Sequence, residues 1–236
     1  MTEKNMLLGG LQKLTLIDYP RKIAATVFTV GCNFLCPFCH NPELVNPKMI
    51  KNQSLISESE FFEFLKSRQE KLEGVCVTGG EPTLHKDLPD FIKKIKELGF
   101  AVKLDTNGSH PEILEKLIAE KLIDYIAMDI KAPADKYNEI AGGVGVEKIK
   151  KSVELIKNSG IDYEFRTTVV PKFHSKKDFI KIAEWLRGAK KYFLQQFYPT
   201  KTLDSCLKDE KAYPVEKLDE FCEEIKPYFG QCGVRA

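Results

Sequence analysis

Three cysteines, Cys32, Cys36 and Cys39, lie close together directly after a largely apolar run at residues 23–31. Three thiolates at this spacing can bind one metal centre. A structural zinc site needs four ligands, and an iron–sulfur cubane used only for electron transfer needs a cysteine on each iron. Three ligands therefore leave one position open, and an open position is where a substrate or cofactor binds.

A second motif follows a second largely apolar run, residues 74–77, which predicts a strand. Beyond this run the chain reads Thr-Gly-Gly-Glu-Pro, with Gly79, Gly80 and Glu81 at its centre. Paired glycines let the backbone approach a ligand closely, and the glutamate adds a fixed negative charge. This motif is a candidate for holding what binds at the open position.

These motifs together resemble the radical S-adenosylmethionine (radical SAM) superfamily, in the cysteine spacing, in the aromatic residue before the third cysteine and in Gly-Gly-Glu-Pro. Residues 14–20 (Leu-Thr-Leu-Ile-Asp-Tyr-Pro) and 36–42 (Cys-Pro-Phe-Cys-His-Asn-Pro) narrow the resemblance to the activating enzymes of glycyl-radical enzymes. Among these, the chain most resembles the anaerobic ribonucleoside-triphosphate reductase activating proteins. The resemblance covers nearly the whole chain.

The resemblance implies two cofactors, a [4Fe-4S] cluster and S-adenosylmethionine. Cys32, Cys36 and Cys39 would hold the cluster, whose remaining iron would chelate the amino and carboxylate groups of S-adenosylmethionine. The backbone of Phe38, Cys39 and His40 would line the adenine, so this assignment requires no side-chain chemistry from His40.

The methionyl end of S-adenosylmethionine would meet a different set of residues. By resemblance, the Glu81 carboxylate and the backbone of Gly79 and Gly80 would hold its ammonium group. Arg166, inside a later predicted strand, has two open interpretations: it contacts the carboxylate of S-adenosylmethionine, or it pairs with an acidic neighbour.

Polar residues at the ends of later predicted strands form a third group of candidates. Asp105 opens an Asp-Thr-Asn-Gly turn, and Asp129 and Lys131 close the next strand. An Asp and a Lys buried unpaired would cost several kcal/mol, so we expect these two to meet each other or a ligand. The resemblance places them beside the methionyl group, and Asp105, Thr106, Met128 and Asp129 also resemble a monovalent-cation site.

The reaction implied by the resemblance is reductive cleavage of S-adenosylmethionine. Flavodoxin or ferredoxin would supply one electron, and the products would be methionine and a 5′-deoxyadenosyl radical. The radical would abstract hydrogen from a glycine of a partner glycyl-radical enzyme, for which an anaerobic ribonucleotide reductase is the expected identity. A large insertion for binding a small molecule is absent from the sequence, which favours a partner loop as the substrate.

The elements that must position these residues are strands alternating with amphipathic helices. Six strands are predicted, at residues 23–31, 75–77, 101–105, 125–130, 163–170 and 192–197. Such alternation predicts an α/β fold with a parallel sheet and right-handed crossovers, either an open doubly wound sheet or a partial barrel. Polar strand ends favour the barrel, and the resemblance implies an open (β/α)6 TIM-like barrel formed by residues 1–236 as one domain.

Composition excludes several classes of function. With 36 Lys and Arg against 34 Asp and Glu, the net charge is +2, too balanced for a nucleic-acid-binding protein. No long apolar segment and no leader-like N-terminus is seen, so no membrane association and a cytoplasmic location are expected. Seven cysteines, an odd number with three in one loop, agree with a reducing compartment.

Four cysteines lie outside the loop. Cys76, within an apolar run, is interpreted as a small buried hydrophobe. Cys206, Cys222 and Cys232 are widely spread in the sequence, which favours free thiols over an auxiliary cluster.

Three alternative functions remain open at this point. The first is activation of another glycyl-radical enzyme, such as a pyruvate formate-lyase-like one. The second is radical SAM chemistry on a small molecule. The third, from a different class, is a non-catalytic zinc-binding or electron-transfer module, for example a zinc knuckle completed by His40.

Overall fold

The computed structural model describes residues 6–142 and 145–236. These residues form two compact units. As far as it is described, unit 1 comprises Met1–Asn33, Glu43–Thr106 and His110–Ile126, and unit 2 comprises Phe34–Pro42, Asn107–Ser109 and Ala127–Ala236. The chain therefore enters unit 2 within the cysteine loop, after Asn33. The expectation of one domain over residues 1–236 stays a prediction.

Unit 1 is built on strands that pair in chain order, namely β1 (Leu8–Thr15), β2 (Ala24–Thr29), β3 (Gly74–Gly79) and β4 (Ala101–Thr106). Strands β2, β3 and β4 are parallel, whereas β1 is antiparallel to β2. Thr26 lies opposite Cys76, and Cys76 lies opposite Lys103. The carboxyl ends of the three parallel strands therefore share one edge, and the polar motifs begin there.

Five helices follow these strands: α1 (Pro42–Val45), whose first residue belongs to unit 2, α2 (Pro47–Ile50), α3 (Glu58–Lys66), α4 (Leu88–Glu97) and α5 (Pro111–Ala119). Helix α3 begins after Ser57, whose side chain accepts a hydrogen bond from the Glu60 N–H at 3.1 Å. Phe61 and Leu65 of this helix are buried on its apolar face.

Strand β5 (Tyr125–Asp129) crosses from unit 1 into unit 2. Unit 2 continues with β6 (Asp162–Val169), β7 (Lys191–Gln196) and β8 (Gln231–Arg235), and with helices α6 (Tyr137–Ala141), α7 (Val146–Asn158), α8 (Lys176–Trp185) and α9 (Val215–Ile225). Strands β6, β7 and β8 are parallel neighbours. The core residues Tyr163, Phe165 and Tyr192 are fully buried between these strands and the helices.

The predicted α/β fold with parallel strands is confirmed. All six predicted strands are present, with bounds that differ by at most two residues from the predicted ones. The structure adds β1 and β8, which are short or polar and carry little apolar pattern. The barrel form of the sheet stays a prediction.

Strand β8 is held by contacts that no local pattern reveals. Both terminal guanidinium nitrogens of Arg235 (Nη1 and Nη2) donate to the buried Glu164 carboxylate, at 2.6 and 2.7 Å. The same guanidinium lies 3.8 Å from the centre of the Phe193 ring. Within the described ranges, no helix is both long and apolar enough to cross a membrane.

Candidate functional site

The Gly-Gly-Glu turn of unit 1 is hydrogen-bonded to the segment that leads into the cysteine loop. The Gly80 N–H donates to the Thr29 carbonyl at 2.9 Å, and the Glu81 N–H donates to the Gly31 carbonyl at 2.7 Å. Gly31 directly precedes Cys32. Two motifs about fifty residues apart are thus joined by backbone bonds, an arrangement typical of parallel strands that end at one edge.

Close backbone approach explains both glycines of this turn. A Cβ atom on Gly80 would lie 2.0 Å from the Gly31 carbonyl oxygen, closer than any real contact. Gly79 has a φ of +120°, and a Cβ there would lie 2.4 Å from the Thr29 backbone. No other residue type fits either position without moving the backbone.

Glu81 is completely buried at the end of β3. Its Oε1 accepts hydrogen bonds from the Thr83 N–H at 3.1 Å, from the Thr83 hydroxyl and from the Thr106 hydroxyl at 2.7 Å. The carboxylate therefore ties the end of β3 to the end of β4 and has a fixed orientation. Its contact with the ammonium of S-adenosylmethionine stays a prediction.

Unit 1 also contains an ion pair that the sequence analysis missed. Lys103 of β4 is buried, with only 1% of its side chain exposed, and its ammonium binds the carboxylate of Asp105. The Cys76 sulfur lies 3.7 Å from the same Nζ. The available signal was the spacing of Lys and Asp two residues apart in a strand, which places both side chains on one face.

Cys36 and Cys39 belong to unit 2, where the Cys39 N–H donates to the Cys36 carbonyl at 3.0 Å. Burial raises the pKa of the Cys36 thiol to about 11. All seven cysteines are thiols outside any disulfide, so the predicted ligands are chemically available. Among residues 6–142 and 145–236, no three His, Cys, Asp or Glu side chains already converge as a metal site.

The aromatic residues of the cysteine loop pack within unit 2. The Phe38 ring lies 5.9 Å from that of Phe173 and 6.1 Å from that of His174. His40 stacks on Phe197 with ring centres 5.8 Å apart, and burial lowers the pKa of its imidazole. These contacts fix the loop backbone from Phe38 to His40, the segment predicted to line the adenine.

The Asp129 carboxylate, at the end of β5, forms ion pairs with two basic side chains. Its Oδ2 lies 2.9 Å from Lys131 Nζ, and its Oδ1 lies 2.7 Å from Arg166 Nε. Burial alone would raise the pKa of Asp129, but the two neighbouring cations hold it well below its ordinary value. Burial likewise opposes the charge of Lys131, yet the Asp129 carboxylate raises its pKa. The predicted meeting of Asp129 with Lys131 is confirmed, and Arg166 pairs with an acidic neighbour.

His174, which the sequence analysis did not single out, supports this cluster. Its Nδ1 accepts from the Val170 N–H at 3.0 Å, which leaves Nε2 to donate to the Lys131 carbonyl at 2.8 Å. Burial lowers the pKa of His174. A neutral imidazole thus fixes the backbone at Lys131.

The predicted residues are therefore distributed over both units. Unit 1 contains Cys32, Gly79, Gly80, Glu81 and Asp105, and unit 2 contains Cys36, Phe38, Cys39, His40, Asp129, Lys131 and Arg166. Within each unit they lie at strand ends or in the cysteine loop, and their roles towards a cluster and S-adenosylmethionine stay predictions.

Comparisons with known proteins agree with the motifs. The sequence model of the Radical SAM superfamily matches residues 26–186. A Methanocaldococcus jannaschii protein named as a glycyl-radical enzyme activating enzyme is 38% identical over 92% of this chain and 89% of its own length. A pyruvate formate-lyase-activating enzyme of Clostridium pasteurianum is 27% identical over 92% of this chain and 96% of its own length.

Solved structures share the fold. Streptococcus suis SuiB bound to S-adenosylmethionine has a TM-score of 0.65 at 16% identity, over 89% of this chain. The present chain spans 52% of that protein, about half its length. A domain of a pyruvate-formate lyase-activating enzyme from Bacteroides vulgatus has a TM-score of 0.53 at 16% identity, over 69% of this chain and 99% of that domain.

Proposed function

Because this chain belongs to the radical SAM superfamily, and within it to the activating enzymes of glycyl-radical enzymes, we propose that it cleaves S-adenosylmethionine reductively to activate a partner enzyme. The single observation that carries the proposal is the bond from the Glu81 N–H to the Gly31 carbonyl. It holds the Gly-Gly-Glu turn against the residue that directly precedes Cys32.

Cys32, Cys36 and Cys39 would hold a [4Fe-4S] cluster. Three free thiols in one short loop fit this group, since they supply soft ligands and leave one iron open. When bound, the cluster and S-adenosylmethionine supply one-electron chemistry and a carbon radical. The cysteines must lose their protons to bind iron, and burial opposes this loss at Cys36, whose pKa it raises to about 11.

The ion cluster of unit 2 would meet the amino-acid end of S-adenosylmethionine. Arg166 and Lys131 keep Asp129 ionised, so the site presents both signs of charge to a zwitterion. Gly79 and Gly80 of unit 1 have no side chain, and a Cβ at either position would clash with backbone. In each unit these residues would bind and orient the cofactor.

We propose an anaerobic ribonucleoside-triphosphate reductase as the partner and flavodoxin or ferredoxin as the electron donor. The reductase is supported by residues 14–20 and 36–42, which resemble that branch. A pyruvate formate-lyase-like partner is the second candidate, favoured by the name of the Clostridium pasteurianum relative.

Anaerobic reconstitution tests the cofactor assignment. Electron paramagnetic resonance should show a reduced cluster whose signal changes with S-adenosylmethionine, and 5′-deoxyadenosine should form. Cys36→Ala should abolish both, because the loop contains no spare cysteine, whereas Cys206→Ser, at an exposed thiol outside the loop, should change neither. Zinc without iron, or normal cleavage by Cys36→Ala, would contradict the assignment.

A second experiment separates the two partners. Reduced enzyme and S-adenosylmethionine are incubated with the anaerobic reductase in one sample and with pyruvate formate-lyase in another. We expect a doublet-like glycyl radical signal in the reductase. A signal only in the formate-lyase would keep the chemistry and overturn the partner.

A further inference from the structure

Two cysteines far from the cysteine loop meet in unit 2. The sulfurs of Cys222 in α9 and Cys232 in β8 lie 2.9 Å apart and are joined by an S–H···S hydrogen bond. Cys222 is buried, and Cys232 is half-buried. The C-terminal cysteines form no close pair in the sequence, and Cys222 and Cys232 meet only because α9 packs beside β8.

The surroundings hold the pair in place. Cys232 lies opposite Tyr192 of β7 in the parallel ladder, and Tyr192 stacks on Phe229 with ring centres 4.8 Å apart. Cys222 is on the buried face of α9 with Phe221 and Ile225. A disulfide bond is about 2.05 Å long, so the sulfurs need to approach by less than about 1 Å.

We propose that Cys222 and Cys232 form a reversible dithiol–disulfide pair that covalently joins the last helix to the edge strand β8. This assignment is independent of the cofactor proposal, because none of its atoms belongs to the predicted cluster or S-adenosylmethionine contacts. The hydrogen bond between the two sulfurs lowers the pKa of Cys222, which favours one thiolate within the pair.

Oxidation requires a two-electron acceptor, and a small-molecule disulfide supplies it. A thiolate of the pair attacks the small disulfide, forms a mixed disulfide and releases one small thiolate. The second cysteine passes its proton to the released small sulfur and attacks the protein sulfur of the mixed disulfide. This expels the other small sulfur, which takes up the proton that the first cysteine lost. In sum, two protein thiols are oxidised to one disulfide, and the small disulfide is reduced to two thiols.

Closing this loop should stabilise unit 2. The two cysteines are ten positions apart, so the bond removes the freedom of a short loop in the unfolded chain. It also fixes an edge strand, the part of a sheet most prone to open. We expect the oxidised protein to melt about 5 °C higher than the reduced protein.

The test equilibrates the reconstituted enzyme anaerobically with mixtures of oxidised and reduced glutathione, alkylates the remaining thiols and maps the peptides. We expect a Cys222–Cys232 disulfide to appear as the oxidised fraction rises, while Cys206 stays alkylated. Cluster absorbance is followed in parallel and should remain constant.

Variants provide the controls. Cys222→Ser and Cys232→Ser should each abolish the disulfide and the melting shift, whereas Cys206→Ser should retain both. If a serine variant fails to fold, peptide mapping of the unaltered protein is by itself the test of the proposal. Alkylation of Cys222 and Cys232 in every mixture, or pairing of either with another cysteine, would overturn the proposal.

Discussion

Replacing Lys103 by methionine tests the buried ion pair of β4. Methionine keeps most of the volume of the side chain but removes the ammonium that binds Asp105. Removing one partner of a buried pair typically costs about 3–5 kcal/mol, because the other charge stays buried. The Asp105 side chain keeps 13% exposure, so we expect the lower end of that range, about 3 kcal/mol.

Differences in burial also determine which variant loses more free energy of unfolding. Asp105→Asn leaves the ammonium of Lys103, whose side chain is only 1% exposed, without that carboxylate, so it should cost more, about 4–5 kcal/mol. The double variant Lys103→Met/Asp105→Asn removes both charges and should cost about 1 kcal/mol. The double variant is therefore expected to be more stable than either single variant, with a coupling energy of several kcal/mol.

Urea unfolding of the reduced, metal-free protein measures these energies. Circular dichroism follows the whole chain, and the fluorescence of Trp185, the sole tryptophan, follows unit 2. Lys103→Met should move the circular-dichroism midpoint down by roughly 1–2 M urea at unchanged slope. Wild-type stability of Lys103→Met, or strictly additive losses in the double variant, would refute a buried, coupled pair.

Three further outcomes are expected. Gly80→Ala should lose S-adenosylmethionine binding, because its Cβ would lie 2.0 Å from a backbone oxygen, while Gly145→Ala, with nothing within 4 Å, should bind normally in the same equilibrium dialysis. Glu81→Gln should weaken S-adenosylmethionine binding about tenfold or more, since a charge-assisted hydrogen bond becomes a neutral one, and should leave the cluster spectrum unchanged. Unchanged affinity would leave Glu81 a purely structural role. The stability lost in Asp129→Asn should be constant from about pH 5 to pH 8 and should shrink below about pH 4. The reason is that a carboxyl whose pKa is lowered by folding stabilises the fold above its unfolded pKa, and this stabilisation is lost as the pH falls. Urea titrations at a series of pH values check this last outcome, and a change near pH 6 would contradict it.

Local signals explain why most elements could be predicted. Ser57 and Glu60 mark the start of α3, and apolar residues at helical spacing mark its buried face. Strands β3 and β5 are buried almost throughout and therefore appear in the sequence as short apolar runs. Patterns of this kind depend on neighbours in the sequence, and the sequence shows them directly.

Elements held by distant partners could not be predicted. Strand β8 contains a glycine and two polar residues, and it is fixed by Arg235 against Glu164, 71 positions away. Strand β1 contains two glycines and pairs antiparallel to β2 with two irregularities in register. Such contacts leave no periodic pattern in the chain.

The candidate site likewise contains contacts that the sequence indicates and contacts that it does not. The cost of burying an unpaired Asp or Lys predicted that Asp129 and Lys131 would meet each other or a ligand, and they meet each other. The contribution of His174 depends on a turn after β6 that reaches the Lys131 carbonyl, 43 positions away. Lys103 was overlooked because a lysine in a strand is ordinarily expected at the surface.

The two hydrogen bonds of His174 give the protein an intrinsic spectroscopic reporter. One neutral tautomer is fixed, because Nδ1 accepts from the Val170 N–H and Nε2 donates to the Lys131 carbonyl, and burial lowers the pKa of the ring. Its ring nitrogens should therefore give the nuclear magnetic resonance pattern of that single neutral tautomer. Any shift of that pattern on addition of iron, sulfide or S-adenosylmethionine would register a movement between the ends of β5 and β6, without a label being attached.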